Sequence, residues 1–336
     1  MSANLRKVLT RSLYGSRRCL SSSAASNFVR IVDVSPRDGL QNEKAQVPSE
    51  VKLELIDRLT DCGVQTIEAT SFVSPKWVPQ MGDAKDLYPQ VLAKYSGNGR
   101  SYPVLTPNAK GLEGALAAAE RAGRPLEEVA IFGAASEGFS KKNTNRSVDE
   151  SFKAFQEVVE QAKKSNVRVR AYLSTVIGCP YDGATDPQLV ARLTQRFLEM
   201  GCYEVSLGDT IGVGTPSTIE RMLSEVMKSI PADKLAIHAH DTYGQGVANV
   251  LQAVNMGIRV VDSCVGGLGG CPFANGATGN VSTEDVVYAL HGLGYQTGID
   301  LNKLSYTGEW ICSKINKPNG SKAGKAIITK LEKAKL

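Results

Sequence analysis

A chain of 336 residues with 42% hydrophobic residues, 32 glycines and 14 prolines fits a globular α/β protein of one large or two modest domains. No stretch reaches the unbroken apolar length of a membrane span. The formal charge of +5 does not indicate a nucleic-acid surface: Arg6, Lys7, Arg11, Arg17, Arg18 and Arg30 all precede the first acid, Asp33, and removing those six leaves −1 for the rest.

In chain order, residues 1–27 are basic, serine-rich and free of acid, and resemble a mitochondrial targeting segment with RRCLSSS as the processing neighbourhood. FVRIVDV (28–34) reads as the first strand, ending in SPRDGLQ. A helix follows from Pro48–Ser49 to about Asp61, with Leu53, Ile56 and Leu59 on one face. Gln65–Ser71 is the second strand, followed by a proline-rich loop and a short helix. Tyr102–Leu105 is the third strand, before a helix over Ala109–Ala122. Val129–Phe132 is the fourth, with EGFSKKNTNR read as a polar loop before the helix Val148–Lys164. Val167–Ser174, the loop GCPYDGA and the helix Asp186–Met200 make the fifth unit. Tyr203–Leu207, GDTIGVGTP and the helix Pro216–Ser229 make the sixth. Leu235–His240 with the helix Gly246–Met256 is the seventh. Arg259–Ser263, a glycine-rich loop and the helix Thr283–His291 form the eighth.

Eight strands, each feeding a helix, predict a (β/α)₈ TIM barrel over residues 28–298. An open doubly wound sheet is the competing arrangement, but neither a GxGxxG fingerprint nor a Walker A loop is present. Residues 299–336 are expected to add C-terminal helices on the barrel. The final Ala-Lys-Leu resembles a peroxisomal address and makes the peroxisome a second expected destination. Seven cysteines without a CxxC pair read as reduced thiols, mostly small core residues. Cys271, between glycines and Pro272, stands apart.

His238 and His240 lie two apart on the seventh strand, so both imidazoles face one side. Alone, they read equally as a metal pair or as two ordinary strand-end histidines. The barrel favours the metal reading, because other polar residues fall at the carboxyl ends of its strands. These are Arg37, Asp38 and Gln41 after strand 1, Glu68 in strand 2, Ser174 ending strand 5, Asp209 after strand 6, and Cys271 and Asn280 after strand 8.

These residues carry a family resemblance. SPRDGLQNEK (35–44), TIEATSFVSPKWVPQMGD (66–83), YLSTVIGCPYDG (172–183), EVSLGDTIGVGTP (204–216), HAHDTYGQG (238–246) and VGGLGGCPFANGATGNVSTED (265–285) resemble the hydroxymethylglutaryl-CoA lyases. These belong to the DRE-type metal-dependent aldolases, with the isopropylmalate and homocitrate synthases. The resemblance spans residues 30–315 or so, and implies a Mg²⁺ or Mn²⁺ ion held by Asp38, His238, His240 and Asn280. A carboxylate, an amide oxygen and two imidazoles suit an ion of intermediate hardness better than zinc.

The implied reaction is metal-assisted retro-Claisen cleavage of (S)-3-hydroxy-3-methylglutaryl-CoA to acetoacetate and acetyl-CoA. The implied catalytic residues are Arg37, Asp38, Glu68, His238 and Cys271. Arg37 faces the developing enolate oxygen, and Cys271 protonates the new methyl carbon. Glu68 orients Arg37 or a water, with Asp209 and Glu284 further out. Arg37, Gln41, Ser71, Asn143 and Ser174 are the expected contacts of the acyl-CoA thioester. How the proton transfers divide among His238, Asp38, Cys271 and a water stays open. A homodimer is implied by the resemblance alone. Animal mitochondrial members end in a cysteine able to crosslink subunits, whereas KAGKAIITKLEKAKL carries none. The rival readings are an acyl-CoA-dependent synthase of the same family and a barrel used only for binding.

Overall fold

The computed structural model describes residues 27–270 and 279–334. Its strands are β1 (Arg30–Asp33), β2 (two stretches, Thr66–Ile67 and Thr70–Ser71), β3 (Val104–Leu105), β4 (Glu128–Ala134), β5 (Arg168–Ser174), β6 (Glu204–Asp209), β7 (Leu235–Ala239) and β8 (Val260–Ser263). All pair in parallel in chain order, and β8 returns to β1 with Arg30 opposite Val260. The first stretch of β2 pairs with β1 and the second with β3. One segment of chain therefore forms both ends of the sheet and closes the barrel. At the break, Glu68 N donates to Asp33 O and Ala69 N to Pro103 O, both at 2.9 Å. The sequence reads Gln65–Ser71 as one continuous strand; the interruption is where its ladder partner changes.

Helices α1 (Ser49–Asp61), α2 (Ala84–Tyr95), α3 (Ala109–Ala122), α5 (Val148–Lys164), α6 (Pro187–Met200), α7 (Pro216–Val226), α8 (Gly246–Asn255) and α9 (Thr283–Gly292) sheathe the barrel. Their ends follow local chemistry. Asn108 accepts from Gly111 N at the start of α3, and Gly123 closes it at φ +62°. Ser147 and Glu150 form a capping box on α5. Residues 137–144, expected to be loop, instead form α4 (Glu137–Thr144). Ser136 accepts from Phe139 N, Phe139 is buried, and Asn145 ends the helix in the left-handed region. With one apolar anchor in eight residues, no periodicity marks this helix. The loop GCPYDGA likewise holds a small antiparallel hairpin, Gly178–Cys179 against Gly183–Ala184.

Alternate strand residues divide between two environments. Val169, Ala171, Leu173, Val205, Leu207, Leu235, Ile237 and Val261 join the large apolar layer beneath the helices. The opposite face lines the barrel axis; Leu105, Ala130 and Tyr172 form a small apolar cluster there, and beside it the residues are charged. Arg170 donates to Glu204 at 2.7 Å and to Asp262 at 2.8 Å, and Glu204 also pairs with Arg30. Branched apolar side chains usually fill such an interior; here much of it is given to ion pairs.

Beyond the barrel, α10 (Leu301–Lys314) and α11 (Lys322–Lys333) pack against α1, α9 and the loop after β8, as expected of a C-terminal extension. Gly320 N donates to Gly266 O, and Ser321 Oγ to Asp285 Oδ1. The five cysteines among the described residues, Cys62, Cys179, Cys202, Cys264 and Cys312, are buried and unpaired. No described helix is long and apolar enough to cross a membrane.

Candidate active site

The polar residues singled out in the sequence gather at the carboxyl ends of the strands. After β1 the chain makes one π-helical turn, Ser35–Gly39, with Gly39 N bonded to Val34 O at 3.1 Å. That wide turn presents Arg37 and Asp38 side by side at the barrel mouth. Gly39 permits it, since a Cβ there would lie 3.0 Å from Leu268 Cβ. On β7, His238 points inward, and His240 follows at the strand end. Val281 N donates to Ala239 O, so Asn280 bridges to His240 and joins the cluster from the far side of the glycine loop.

One ligand atom each from Asp38, His238 and His240 lies within 4.8 Å of the others, a cluster fit for a divalent cation. Two observations support the fit. Among the described residues, His240 Nδ1 and Asn280 Oδ1 are buried with no hydrogen-bond partner, which is costly unless something else meets them. Asn280 Nδ2 meanwhile donates to Asp38 Oδ2 at 2.9 Å and to Leu268 O at 3.1 Å, fixing the amide. Burial pushes the Asp38 carboxyl up, but Arg37, His238 and His240 outweigh it and hold it below its usual range. Burial, reinforced by His238, lowers His240 to about 4. Near neutral pH the cluster thus offers a carboxylate and a neutral His240 imidazole, the forms that bind metals.

Arg37 is buried and held on both sides. Its Nε donates to Glu68 Oε2 at 2.8 Å, Nη2 meets the same oxygen at 2.7 Å, and Nη1 meets Asp38 Oδ1 at 2.5 Å. Three of the five guanidinium N–H groups are thereby engaged by Glu68 and Asp38; among the described residues no partner is recorded for the other two. Gln41 Nε2 donates to Asp38 Oδ1 at 2.6 Å, which ties that residue to the metal cluster. Glu68, at the break in β2, is fully buried. Its Oε2 also accepts from Tyr172 OH at 3.0 Å, while Oε1 has no partner. Burial raises the Glu68 carboxyl despite Arg37 and Tyr172.

Tyr172, Arg170, Asp262 and Ser206 were not singled out in the sequence. The Tyr172 ring lies between two guanidiniums, 5.2 Å from Arg37 and 4.9 Å from Arg170. Asp262 sits behind His238, its Oδ2 3.4 Å from His238 Nδ1, and accepts from Ser206 Oγ at 2.6 Å. The available signal was charge at alternate positions of buried strands, as in RVRAYLS and VVDS.

The remaining candidates are placed less centrally. Asp209 uses its carboxylate on Val213 N and Gly214 N to shape the turn after β6, and burial lifts it to about 6. Glu284 accepts from Gly266 N and Ser282 Oγ beneath the glycine loop, and burial lifts it to about 8. Ser71 is buried in β2 with its hydroxyl 3.4 Å from Leu105 O. Ser174 ends β5, and Asn143 is half-buried on α4. Cys271 lies outside the described residues; Asn42 Nδ2 donates to the neighbouring Gly270 O at 2.9 Å.

Comparison with known proteins agrees with this geometry. The HMGL-like family model matches residues 28–311. The human protein named hydroxymethylglutaryl-CoA lyase, mitochondrial, is 52% identical over 329 residues, covering 96% of this chain and 98% of that protein. The human cytoplasmic 3-hydroxy-3-methylglutaryl-CoA lyase is 52% identical over 90% of this chain and 80% of its own length. Among solved structures, the hydroxymethylglutaryl-CoA lyase of Pseudomonas aeruginosa superposes with a TM-score of 0.85 at 48% identity, covering 91% of this chain and 99% of that one. An Acinetobacter baumannii HMG-CoA lyase, solved with coenzyme A and 3-methylmalate, gives 0.83 at 34% identity over 91% and 97%. The chain belongs to the HMGL-like family and is a metal-dependent carbon–carbon lyase of the hydroxymethylglutaryl-CoA lyase type.

Proposed function

We propose that this lyase cleaves (S)-3-hydroxy-3-methylglutaryl-CoA to acetoacetate and acetyl-CoA, with Asp38, His238, His240 and Asn280 holding Mg²⁺ or Mn²⁺. The observation that carries the reading is the meeting of that donor cluster with a buried arginine held beside it by Glu68 and Asp38. When bound, the cation polarises the substrate's C3 hydroxyl and lowers its pKa. Arg37 neutralises the charge that reaches the thioester oxygen as C2–C3 breaks, held in place by Glu68. Asp38 or a water beside it takes the hydroxyl proton, with His238 serving as ligand, and Cys271 returns a proton to the new methyl carbon. Gln41, Ser71, Asn143 and Ser174 line the path of the acyl chain, and Asp209 and Glu284 support the surrounding loops. The coenzyme A seen with the A. baumannii relative supports an acyl-CoA ligand here.

Residues 1–27 deliver the chain to the mitochondrial matrix, supported by their acid-free basic composition and by the mitochondrial naming of the human relative. The Ala-Lys-Leu end makes the peroxisome a second destination. Residues 28–298 are the catalytic barrel, 299–336 its extension, and the working unit is a homodimer. Reporter fusions lacking either end test the destinations, and light scattering tests the dimer. The decisive assay incubates purified protein with hydroxymethylglutaryl-CoA, with and without Mg²⁺ or Mn²⁺. Metal-dependent acetoacetate is expected; no acetoacetate, but condensation of acetyl-CoA with a 2-oxo acid, overturns the reading in favour of a synthase.

A further inference from the structure

The chain of charges along the barrel axis ends on a metal-binding histidine. Asp262, on β8, is fully buried, and its two oxygens divide their partners. Oδ1 accepts from Arg170 Nη2 at 2.8 Å. Oδ2 accepts from Ser206 Oγ at 2.6 Å and Arg170 Nη1 at 3.4 Å, and lies 3.4 Å from His238 Nδ1. Among the described residues no group meets His238 Nδ1 in an aligned hydrogen bond, and the Asp262 carboxylate faces it at 3.4 Å. The other ring nitrogen, Nε2, turns to the metal cluster, 4.0 Å from Asp38 Oδ2.

Every other group on Asp262 is a donor. Arg170 donates to it twice and is itself fixed from below by Glu204 through Nε at 2.7 Å, with the Tyr172 ring 4.9 Å away. The carboxylate is thus clamped, and the only role left for a nitrogen facing it is to carry a hydrogen. We propose that Asp262, anchored by Arg170, is the positioning residue for His238: it selects the Nδ1–H tautomer and leaves the Nε2 lone pair free for the divalent cation.

A ligating imidazole whose far N–H faces a carboxylate is fixed in orientation and more basic, and loss of such a partner typically costs 10- to 100-fold in metal affinity. His240 provides the internal contrast. Among the described residues no carboxylate is paired with a His240 ring nitrogen as Asp262 is with His238 Nδ1. The inference rests on His238 being a metal ligand, and the experiment separates the two claims.

Asp262→Asn keeps the shape and reverses one polarity. With its carbonyl oxygen at the Oδ1 position on Arg170 Nη2, its NH₂ takes the Oδ2 position, where it can donate to Ser206 Oγ and to His238 Nδ1, and so favours the Nε2–H tautomer, with a proton where the metal should bind. The first readout is Mn²⁺ binding, from the loss of the free-ion EPR signal. The second is the tautomer of His238 in metal-free protein labelled with ¹⁵N-histidine, read from long-range ¹H–¹⁵N correlations at about pH 8.5, roughly two units above the free imidazole value. With three histidines in the chain, single substitutions assign the spectrum.

Expected are Nδ1–H at His238 in the wild type, Nε2–H in Asp262→Asn, and Mn²⁺ affinity 10- to 100-fold weaker in that variant. Ser206→Ala removes a neighbour of the same oxygen without reversing any polarity and should leave the tautomer unchanged. Wild-type protein already in the Nε2–H form overturns the inference, even if the variant fails to fold. So does an Asp262→Asn protein binding Mn²⁺ as tightly as wild type. If the wild type binds no Mn²⁺, the metal assignment of His238 itself has failed.

Discussion

Replacing Arg37 by lysine keeps the charge and removes the geometry. The guanidinium spans Glu68 Oε2 and Asp38 Oδ1 with three N–H contacts between 2.5 and 2.8 Å. A single ammonium has three donors in all, and bridging both carboxylates consumes at least two of them. It also gives up the planar face set 5.2 Å from the Tyr172 ring. What remains for the substrate is one donor at the wrong place. Removing a preorganised donor from a developing oxyanion costs about 2.7–4 kcal/mol, or about 10²- to 10³-fold in kcat. KM should stay within about threefold, because a contact made only in the transition state leaves ground-state binding alone. The assay is steady-state acetoacetate release, with Mn²⁺ affinity measured in parallel by EPR. Mn²⁺ affinity within about threefold of wild type is expected, since Asp38 keeps a cation beside it. A kcat within tenfold of wild type refutes the reasoning. A fall in Mn²⁺ affinity that tracks kcat shows instead that Arg37 acts through Asp38.

Glu284 provides a pH test. Its folded pKa of about 8 lies above the ordinary glutamate value of 4.5, so its contribution to stability is complete below about pH 4.5 and is lost as pH rises through about 8. At about 1.4 kcal/mol per unit, wild type should lose about 3 kcal/mol relative to Glu284→Gln between about pH 5 and 8, measured by urea unfolding; parallel curves refute the shift. Gly308→Ala places a methyl against Glu284 Oε1 and 3.4 Å from Gly266 N. It should destabilise the fold by about 1–3 kcal/mol, seen as a lower Tm, and an unchanged Tm means that α10 has room to move. Cys271→Ala should retain Mn²⁺ and substrate binding and lose about 10²- to 10⁴-fold in kcat; near-normal turnover removes it as the proton donor.

The barrel was legible because strand and helix alternate eight times with little between them, and that pattern admits few closed arrangements. The His-x-His pair, RD after β1 and Asn280 were legible as well, since carboxyl-end positions converge whatever the details of the loops. Helix α4 was not, because eight residues with one buried phenylalanine carry no period. The break in β2 depends on residues far off in sequence, Asp33 and Pro103, that accept its amides. The ion-pair column was missed for a different reason. Charges at alternate strand positions normally mark a solvated face, and only closure of the sheet turns that face into an interior.

That interior explains why the site can hold a dication beside an arginine. Buried ion pairs rarely stabilise a fold better than well-packed apolar residues would, so the column is better understood through its charge than through its stability. Arg30, Arg170 and Arg37 are offset by Glu204, Asp262, Glu68 and Asp38 in two ion-pair groups, Arg30–Glu204–Arg170–Asp262 and Asp38–Arg37–Glu68, that meet through Tyr172 and His238. Counted as ionised, three cations and four anions leave −1. A divalent cation carries the column to +1, and a bound carboxylate returns it to zero. A substrate whose acyl group ends in a free carboxylate therefore completes the balance, whereas a neutral acyl-CoA leaves a positive charge in the barrel mouth. Discrimination for a carboxylated acyl chain then follows from the whole axis, not from one contact residue. Neutralising an acid far from the substrate, such as Glu204, should weaken metal binding and strengthen attraction of the carboxylate, and the ratio of the two affinities measures how far down the axis that balance reaches.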